Sequence, residues 1–280
     1  MKSIYQLVPD IQDYISRNEN WYEETILGLH SCGVRHPYKG RLRLSGLGDK
    51  CPRQLWHSVH LPHLAEPLPP SALFKYSYGH ILESMALTLA KLAGHDVTGE
   101  QDELVLDGVV GHRDAVIDGC TVDIKSCSSL QFQKFKNRLL EANDAFGYLF
   151  QLDAYVLASR DDPSVHVKDR GFILAIDKTL GHMILYEHLL RPSSIRQRIA
   201  EYKRICGLNS PPDCECGTEK DGLSGNIKLD VRASYSPYKY VCFPHLRTFI
   251  YANGPRYLTK VVRTPDVPEV RRYNFINEED

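Results

Sequence analysis

The stretch that decides the fold is Val105–Ser126, which reads VLDGVVGHRDAVIDGCTVDIKS. It contains two runs rich in β-branched residues, and Asp118 and Gly119 separate them. Asp-Gly between two such runs is among the strongest short signals for a two-residue hairpin turn. With these two residues as the loop, Ile117 faces Cys120, and the pairing register of the two predicted strands is fixed.

Counting outward from this turn places Asp114 directly opposite Asp123. Side chains that face each other across an antiparallel pair have Cβ atoms roughly 4.5–5.5 Å apart, so two carboxylates are brought together. Such a pair must be neutralised, either by a proton held through a raised pKa or by a bound cation. Lys125 lies on the same strand face as Asp123, because side chains alternate with a period of two.

Two hard oxygen ligands suit Mg²⁺ or Mn²⁺, which bind one or two carboxylates, keep several waters and share phosphate oxygens of a substrate. A lysine beside a metal-bound water could orient that water or stabilise charge on a phosphate. The alternative is a solvated hairpin, in which the aspartates and the lysine keep one face in water. From the hairpin alone, both interpretations stay open.

The composition is that of an ordinary globular chain, with 280 residues of which 42% are hydrophobic and 25% charged. Such a chain can bury one sizeable core, and its composition excludes a disordered or fibrous protein. Every apolar run is shorter than the ~20 residues that span a bilayer, and Met1–Tyr5 lacks a signal-peptide core, so we expect a cytosolic protein. Because the formal net charge is −1, any contact with nucleic acid depends on local basic patches.

The chain divides into three segments, which we expect to form a single domain. Residues 1–70 have apolar positions at helical spacing and predict a helical N-terminal cover. Residues 71–205 form the core, whose best helix, Phe74–Ala93, carries an apolar stripe. Glu83 lies near the edge of that stripe and either points along the core face or is a surface glutamate. Residues 206–280 predict a loop-rich C-terminal extension.

A basic and aromatic segment follows the hairpin. Leu130–Leu140 mixes phenylalanines with Lys134 and Lys136, a combination that could follow a phosphate backbone. The alternative for each of these residues is the solvated face of an amphipathic segment.

Further along, the pattern predicts a helix and then two strands. The helix is predicted over residues 141–159, and it places Gln151 and Tyr155 four residues apart, on one face. Either residue could be structural. The apolar run Gly171–Ile176 predicts a buried strand, and His182–Tyr186 predicts its neighbour.

This order of elements resembles the PD-(D/E)XK nucleases, specifically their RecB-like branch with phage exonucleases and the nucleases of CRISPR adaptation modules. The resemblance covers roughly residues 71–190. The matched positions follow the family's order and are Glu83 for the first motif, Asp114 for the second, Asp123 and Lys125 for the third, and Gln151 with Tyr155 as the QxxxY pair. Many RecB-like members have His at the first of these positions, whereas this chain has Glu83, with His80 three residues earlier.

The resemblance implies an α/β core with a central mixed sheet flanked by helices, and metal-dependent hydrolysis of DNA phosphodiesters. It implies that one or two Mg²⁺ or Mn²⁺ ions are held by Glu83, Asp114, Asp123 and the backbone carbonyl of Ile124, with Lys125 assisting the water or the transition state. DNA contacts are expected from Gln151, Tyr155, Ser126, Arg53, Lys134 and Lys136. The hairpin and the resemblance select the same carboxylate pair by separate routes, which favours a metal site over a solvated hairpin.

Cysteines need a separate interpretation. The eight cysteines of a chain expected to be cytosolic are core residues or metal ligands rather than disulfides. Cys51, within Cys-Pro-Arg-Gln, resembles the early cysteine of RecB-like nucleases that hold an iron–sulfur cluster with one early and three late cysteines. The late candidates are Cys206, Cys214, Cys216 and Cys242, and their spacing differs from the compact triplet of that group. We therefore expect free thiols here, with an iron–sulfur cluster or zinc as the alternative.

The leading expectation is a DNA exonuclease that acts on linear duplex or single-stranded ends in phage DNA processing or recombination. Its place would be the host cytoplasm, with a recombination or single-strand annealing partner of unknown identity. A structure-specific or nicking endonuclease is the alternative with the same chemistry. A catalytically inactive DNA-binding module is the alternative of another class, although such modules usually lose a ligand or the lysine and this chain keeps both.

Overall fold

The computed structural model describes residues 2–29, 40–48, 50–68 and 70–270. In chain order the elements are α1 (Leu7–Arg17), α2 (Trp21–Leu29), α3 (Pro52–His60), α4 (Pro70–Leu92), β1 (Val97–Thr98), β2 (Glu103–Leu106), β3 (Val109–His112), β4 (Ala115–Ile117), β5 (Cys120–Cys127), α5 (Ser129–Lys136), α6 (Tyr148–Ala158), β6 (Val167–Asp177), β7 (Met183–Leu189), α7 (Pro192–Cys206), β8 (Thr218–Lys220), β9 (Ile227–Leu229), α8 (Val231–Tyr235), α9 (Lys239–Cys242), β10 (Arg247–Tyr251), β11 (Gly254–Lys260) and β12 (Glu269–Val270).

The chain forms two compact units, which cut across the three segments expected from the sequence. Unit 1 comprises Met1–Tyr38, Leu42–Asp49 and Leu68–Lys203. Unit 2 comprises Lys39–Arg41, Lys50–Pro67 and Arg204–Asp280. The segment that contains α3 therefore groups with the C-terminal residues rather than with the N-terminal helices.

Unit 1 is built on a mixed five-stranded sheet in the order β1-β4-β5-β6-β7. The pair β5 and β6 is parallel, and the other neighbours are antiparallel. Helices cover both faces. Leu7 and Ile11 of α1 and Leu89 of α4 share one buried cluster with the sheet, whereas α5 and α6 contribute to a second cluster. The central mixed sheet with flanking helices confirms the expected α/β class.

The sequence of β6 is apolar without alternation because both faces of this strand are buried. Phe172 and Leu174 pack into the cluster with α1 and α4, while Ile173 and Ala175 pack into the cluster with α5 and α6. A strand that is buried on both faces has no position for a polar side chain. The continuous apolar run is the consequence.

The hairpin around Asp118 and Gly119 has the predicted register. Ile117 pairs with Cys120 and Ala115 with Val122. Asp118 has φ 48° and Gly119 has φ 74°, and positive φ at both central residues defines the two-residue turn that Asp-Gly favours.

The first of the two predicted runs is not one strand but three. Asp107 and Gly108 also have positive φ, at 47° and 76°, and they turn β2 back onto β3 as a separate two-stranded sheet. Asp-Gly is the signal for this turn too. The run of β-branched residues predicted one continuous strand over Val105–Ile117, and this turn was not predicted.

Helix α6 begins at Tyr148, seven residues later than predicted. Gly147 precedes it with φ 71°, and a Cβ at that position would lie 2.1 Å from the Cα of Gly48. Asp144 then caps the helix, since its carboxylate accepts hydrogen bonds from the amides of Tyr148 (3.0 Å) and Leu149 (2.8 Å). A left-handed glycine and a side-chain cap mark a helix start that apolar spacing does not reveal.

Unit 2 corrects the expected irregular extension. It contains a five-stranded sheet in the order β12-β10-β11-β9-β8, with every pair antiparallel. Phe249 and Leu258 are buried in it, but the strands are short and β8 is exposed along its whole length. Short strands without alternation give little signal, which is why the sequence predicted loops. Residues 271–280, which include the acidic Glu278, Glu279 and Asp280, lie outside the described residues.

Within the described ranges, none of the helices combines the length and the apolar character needed to cross a bilayer.

Candidate active site and a four-cysteine cluster

Three carboxylates predicted as ligands are all buried in unit 1. Asp123 on β5 is fully buried, Asp114 directly before β4 is 8% exposed, and Glu83 on α4 is 7% exposed. Burial raises the pKa of Asp123 to about 7, and the charges of Asp114 and Glu83 act in the same direction. Asp114 and Glu83 therefore both interact electrostatically with Asp123, and the hairpin register accounts for the proximity of Asp114 alone.

Lys125 supplies a positive charge among these acids. Its Nζ lies 2.9 Å from Oδ1 and 2.8 Å from Oδ2 of Asp123, so the ammonium spans both carboxylate oxygens. Burial acts against the charge on Lys125, but Asp123 and Asp114 outweigh it and raise the pKa of the lysine. The Nζ atom also lies 5.6 Å from the centre of the Tyr148 ring. Tyr148 is thus a residue of α6 near this charged pair in addition to the predicted Gln151 and Tyr155.

Asp114 is held in place by β5, the strand that carries Asp123. Its Oδ2 accepts a hydrogen bond from the backbone amide of Ile124 at 2.7 Å. The carboxylate therefore lies against β5, between the side-chain positions of Asp123 and Lys125 along the strand. The role of the Ile124 carbonyl as a ligand stays a prediction.

Gln151 contacts Asp123 directly, and Tyr155 contacts Gln151. Gln151 Nε2 donates to Asp123 Oδ1 at 3.0 Å and to the Tyr155 hydroxyl at 3.1 Å. Tyr155 is 2% exposed, and burial followed by the charge of Asp123 raises its pKa. Gly111 makes room first for Leu44 and then for the ring, because a Cβ there would lie 2.7 Å from Leu44 Cβ and 3.0 Å from Tyr155 Cε1. In this structure the pair orients Asp123, and its contact with DNA stays a prediction.

The remaining predicted DNA contacts are dispersed. Ser126 is partly exposed on β5, and its Oγ would lie 3.7 Å from a Cβ placed at Gly79 of α4. Lys136 is exposed, whereas Lys134 donates to Asn143 Oδ1 at 3.2 Å. Arg53 belongs to unit 2, where its Nε donates to the Pro212 carbonyl at 2.7 Å.

The acidic donor set fits a hard divalent cation, because Asp114 and Glu83 both act on the buried Asp123 and its contacting lysine supplies one positive charge. These carboxylates are not drawn into one compact set of ligand atoms. Instead each is held by a protein donor: Asp123 by Lys125 and Gln151, Asp114 by the Ile124 amide, and Glu83 by Gln101, whose Nε2 lies 2.6 Å from Oε1.

Two further residues of this site, Gln101 and Arg113, were not predicted from the sequence. Arg113 is 1% exposed and forms ion pairs with Asp102 and Asp162, and Gln101 has φ 58°. Arginine is rarely buried, and a positive φ at glutamine has no local signature. The only available signal was the position of Arg113 directly before a predicted ligand.

A second cluster lies wholly within unit 2. Among the described residues, the group whose potential ligand atoms converge as in a metal site consists of Cys51, Cys214, Cys216 and Cys242, with all sulfur atoms within 4.8 Å of one another. Cys51 Sγ lies 3.8 Å from Cys214 Sγ, and Gln54 Nε2 donates to Cys216 Sγ at 2.8 Å. The sequence predicted free thiols in a loop-rich segment, whereas in the structure these four side chains converge.

The cluster favours a thiolate at Cys51. Hydrogen bonds from the thiols of Cys216 and Cys242 lower the pKa of Cys51 below its usual range, whereas hydrogen bonds with Cys242 and Cys51 raise the pKa of Cys216, so without a metal the thiolate is at Cys51. The backbone amide of Glu215 lies 3.3 Å from the Cys51 sulfur. A metal binds cysteine as the thiolate. Cys206, which the sequence grouped with these residues, is not part of the cluster. It ends α7, and its backbone carbonyl lies 2.7 Å from His60 Nε2.

Comparisons with known proteins give no family for this chain: no family model matches, and no curated protein matches. Among solved structures, the chain is similar to SSO0001, with 16% identity over 81% of this chain and 97% of that one, at a TM-score of 0.40. It is also similar to the alkaline exonuclease LHK-Exo from Laribacter hongkongensis, with 12% identity over 67% of this chain and 90% of that one, at a TM-score of 0.35. Neither similarity, at these TM-scores, identifies a fold family or an activity for the chain.

Proposed function

We propose that this protein is a divalent-metal-dependent deoxyribonuclease that hydrolyses DNA phosphodiester bonds and acts on DNA ends. One observation carries the proposal: Lys125 and Asp123 are in contact on a buried strand, beside the carboxylates of Asp114 and Glu83. Burying three interacting acids with one lysine in contact with Asp123 is costly for folding alone, since each charge loses its water. A catalytic requirement for those acids accounts for that cost.

Glu83, Asp114, Asp123 and the Ile124 carbonyl are the proposed ligands of Mg²⁺ or Mn²⁺. When bound, such an ion lowers the pKa of a coordinated water and neutralises charge on the scissile phosphate. The ligands offer oxygen only, which suits these hard cations better than a softer transition metal.

Lys125 supplies a positive charge and N–H hydrogen-bond donors to the reacting groups. Its ammonium lies at the carboxylate of Asp123, so a phosphate that approaches the acids meets a positive charge at the same place. An ammonium with three N–H donors can hold an attacking water or stabilise the charge that develops on the phosphate oxygens.

Gln151 is proposed to fix the orientation of Asp123. Its amide donates to Oδ1 of Asp123 and is itself positioned by the Tyr155 hydroxyl. The amide is neutral, so it orients the carboxylate without cancelling the charge that the cation requires.

The test compares linear duplex, single-stranded and covalently closed circular DNA in Mg²⁺, in Mn²⁺ and in EDTA. We expect metal-dependent degradation of linear DNA, an intact circle, and no cleavage by Asp123→Asn. Asp161→Asn, an exposed aspartate outside the site, is the matched control and should cleave as the wild type does. Nicking of the circle would replace the exonuclease with an endonuclease, and DNA binding without cleavage in either metal would leave a binding module.

We also propose a structural metal in the four-cysteine cluster of unit 2. Four thiolates are a donor set for zinc or for an iron–sulfur cluster. The 3.8 Å between Cys51 and Cys214 supports a single zinc ion, because Zn–S bonds of about 2.3 Å in a tetrahedron separate the sulfurs by about 3.8 Å. In a four-iron cluster each thiolate binds a different iron, which spreads the sulfurs further apart. Zinc, iron and sulfide analysis of anaerobically purified protein distinguishes the two.

A further inference from the structure

The loop between β1 and β2 reaches into the candidate active site through one side chain. Gln101 Nε2 donates a hydrogen bond of 2.6 Å to Oε1 of Glu83, and the backbone amide of Gln101 donates to the carbonyl of Asp114 at 3.2 Å. A single residue thus joins the acid on α4 to the acid before β4. No role for Gln101 was predicted from the sequence.

Gln101 holds this position in a strained backbone conformation. Its φ of 58° lies in the left-handed region, which costs a side-chain-bearing residue free energy that glycine does not lose. Strain of this kind persists where the surrounding structure enforces it, and it is concentrated at functional sites. Glycine would be the unstrained choice here, so the glutamine side chain has a use that offsets the strain.

A buried arginine enforces the conformation of the loop. Arg113 donates from Nε to the carbonyl of Gly99 at 3.2 Å and from a terminal nitrogen to Asp102 at 2.7 Å. Its backbone amide donates to the carbonyl of Asp102 at 3.2 Å. The residues on both sides of Gln101 are therefore attached to Arg113, the neighbour of Asp114.

From this geometry we propose that Gln101 is a positioning residue for the metal ligand Glu83, an inference that rests on the proposed nuclease function. An amide donor fixes the direction of the Glu83 carboxylate and leaves its charge in place, whereas a lysine or arginine would compete with the cation. Groups that do not bind the metal but hydrogen-bond to one of its ligands typically contribute 10–100-fold in metal affinity or activity. Gln101 would do so by holding Glu83 in register with Asp114.

The test measures Mn²⁺ binding without DNA, by calorimetry and by electron paramagnetic resonance of the free ion. Gln101→Met keeps the size of the side chain but loses the hydrogen bond to the buried Glu83 carboxylate, so we expect Mn²⁺ binding about tenfold weaker and a lower melting temperature in EDTA. Gln101→Gly loses the same hydrogen bond but relieves the left-handed strain, so we expect the same loss of affinity with a melting temperature above that of Gln101→Met. Gln12→Met, on the exposed face of α1, is the control and should change neither.

A purely structural role predicts the opposite pattern, with glycine binding Mn²⁺ as the wild type does. If the wild type binds Mn²⁺ and both Gln101 variants bind it within twofold, the positioning role is excluded and the nuclease proposal stands. If the wild type itself does not bind Mn²⁺, the proposed function and this inference fail together.

Discussion

Lys125 and Asp123 lie two residues apart on β5, and the ammonium of the first spans both oxygens of the second, at 2.9 and 2.8 Å. Side chains two apart on a strand share a face, so this contact follows directly from strand geometry. The lysine is mostly buried and the aspartate fully buried. The pair is thus a charged centre inside the core, and its effect on stability can be measured separately from its effect on catalysis.

The stability of the metal-free protein should depend on pH through Asp123. Burial raises the pKa of this group from 3.8 to about 7, so the folded state binds more protons than the unfolded state between those pH values, and stability falls as the pH rises through them. Asp123→Asn removes this titration and also the charge that faces Lys125, so we expect the margin, its melting temperature in EDTA minus that of the wild type, to be larger at pH 8 than at pH 5. Calorimetric melting at both pH values checks this, and a margin that does not grow with pH would contradict it.

Replacing Lys125 by methionine should abolish most of the activity. The side chain keeps its length but loses the charge at Asp123, and removal of one electrostatic donor of this kind typically lowers the rate by about 10²–10³-fold. Single-turnover cleavage of a linear duplex in Mg²⁺ measures the effect. Lys168→Met, an exposed lysine of β6, is the control, and equal rates for the two variants would show that Lys125 has no special role.

Gln151 should affect turnover more than substrate binding, because its amide touches Asp123. Loss of one hydrogen bond to a charged group lowers the rate by roughly tenfold or more, since 1.4 kcal/mol corresponds to a factor of ten. We expect Gln151→Leu to lower kcat with a smaller change in KM. A higher KM with an unchanged kcat would instead assign Gln151 to DNA binding alone.

Arg113 should be essential for stability. Its guanidinium is 1% exposed, whereas the carboxylates of Asp102 and Asp162 keep 53% and 24% of their side-chain surface in water, which screens the two ion pairs. We expect Arg113→Met to lower the free energy of unfolding by about 1–3 kcal/mol in urea denaturation, mainly through the lost hydrogen bonds of the guanidinium. The control is Arg160→Met, an exposed arginine, for which we expect little change.

Cysteine variants test the cluster in unit 2. Cys214→Ser removes one of the four converging sulfurs and should lower both the bound metal and the melting temperature. Cys206→Ser is the matched control, because Cys206 lies outside the cluster, and its metal content should equal that of the wild type. Equal metal content in the two variants would remove the cluster from consideration as a metal site.

The sequence by itself determined the parts of the candidate site that depend on neighbours along the chain. Asp118 and Gly119 set the hairpin because their φ values are a property of the dipeptide, and the period of two then brings Lys125 to Asp123. Helical spacing likewise placed Gln151 beside Tyr155.

Only the tertiary structure decided what depends on contacts between distant segments. Cys51 meets Cys214 across 163 positions, and Gln101 meets Glu83 across 18, distances over which no periodic pattern connects the residues. Arg113 is buried because acids from two other loops reach it, not because of its own surroundings in the chain. Local sequence determines turns, the periodicity of strands and helices, and helix caps. Which distant segments come together depends on the packing of the whole core.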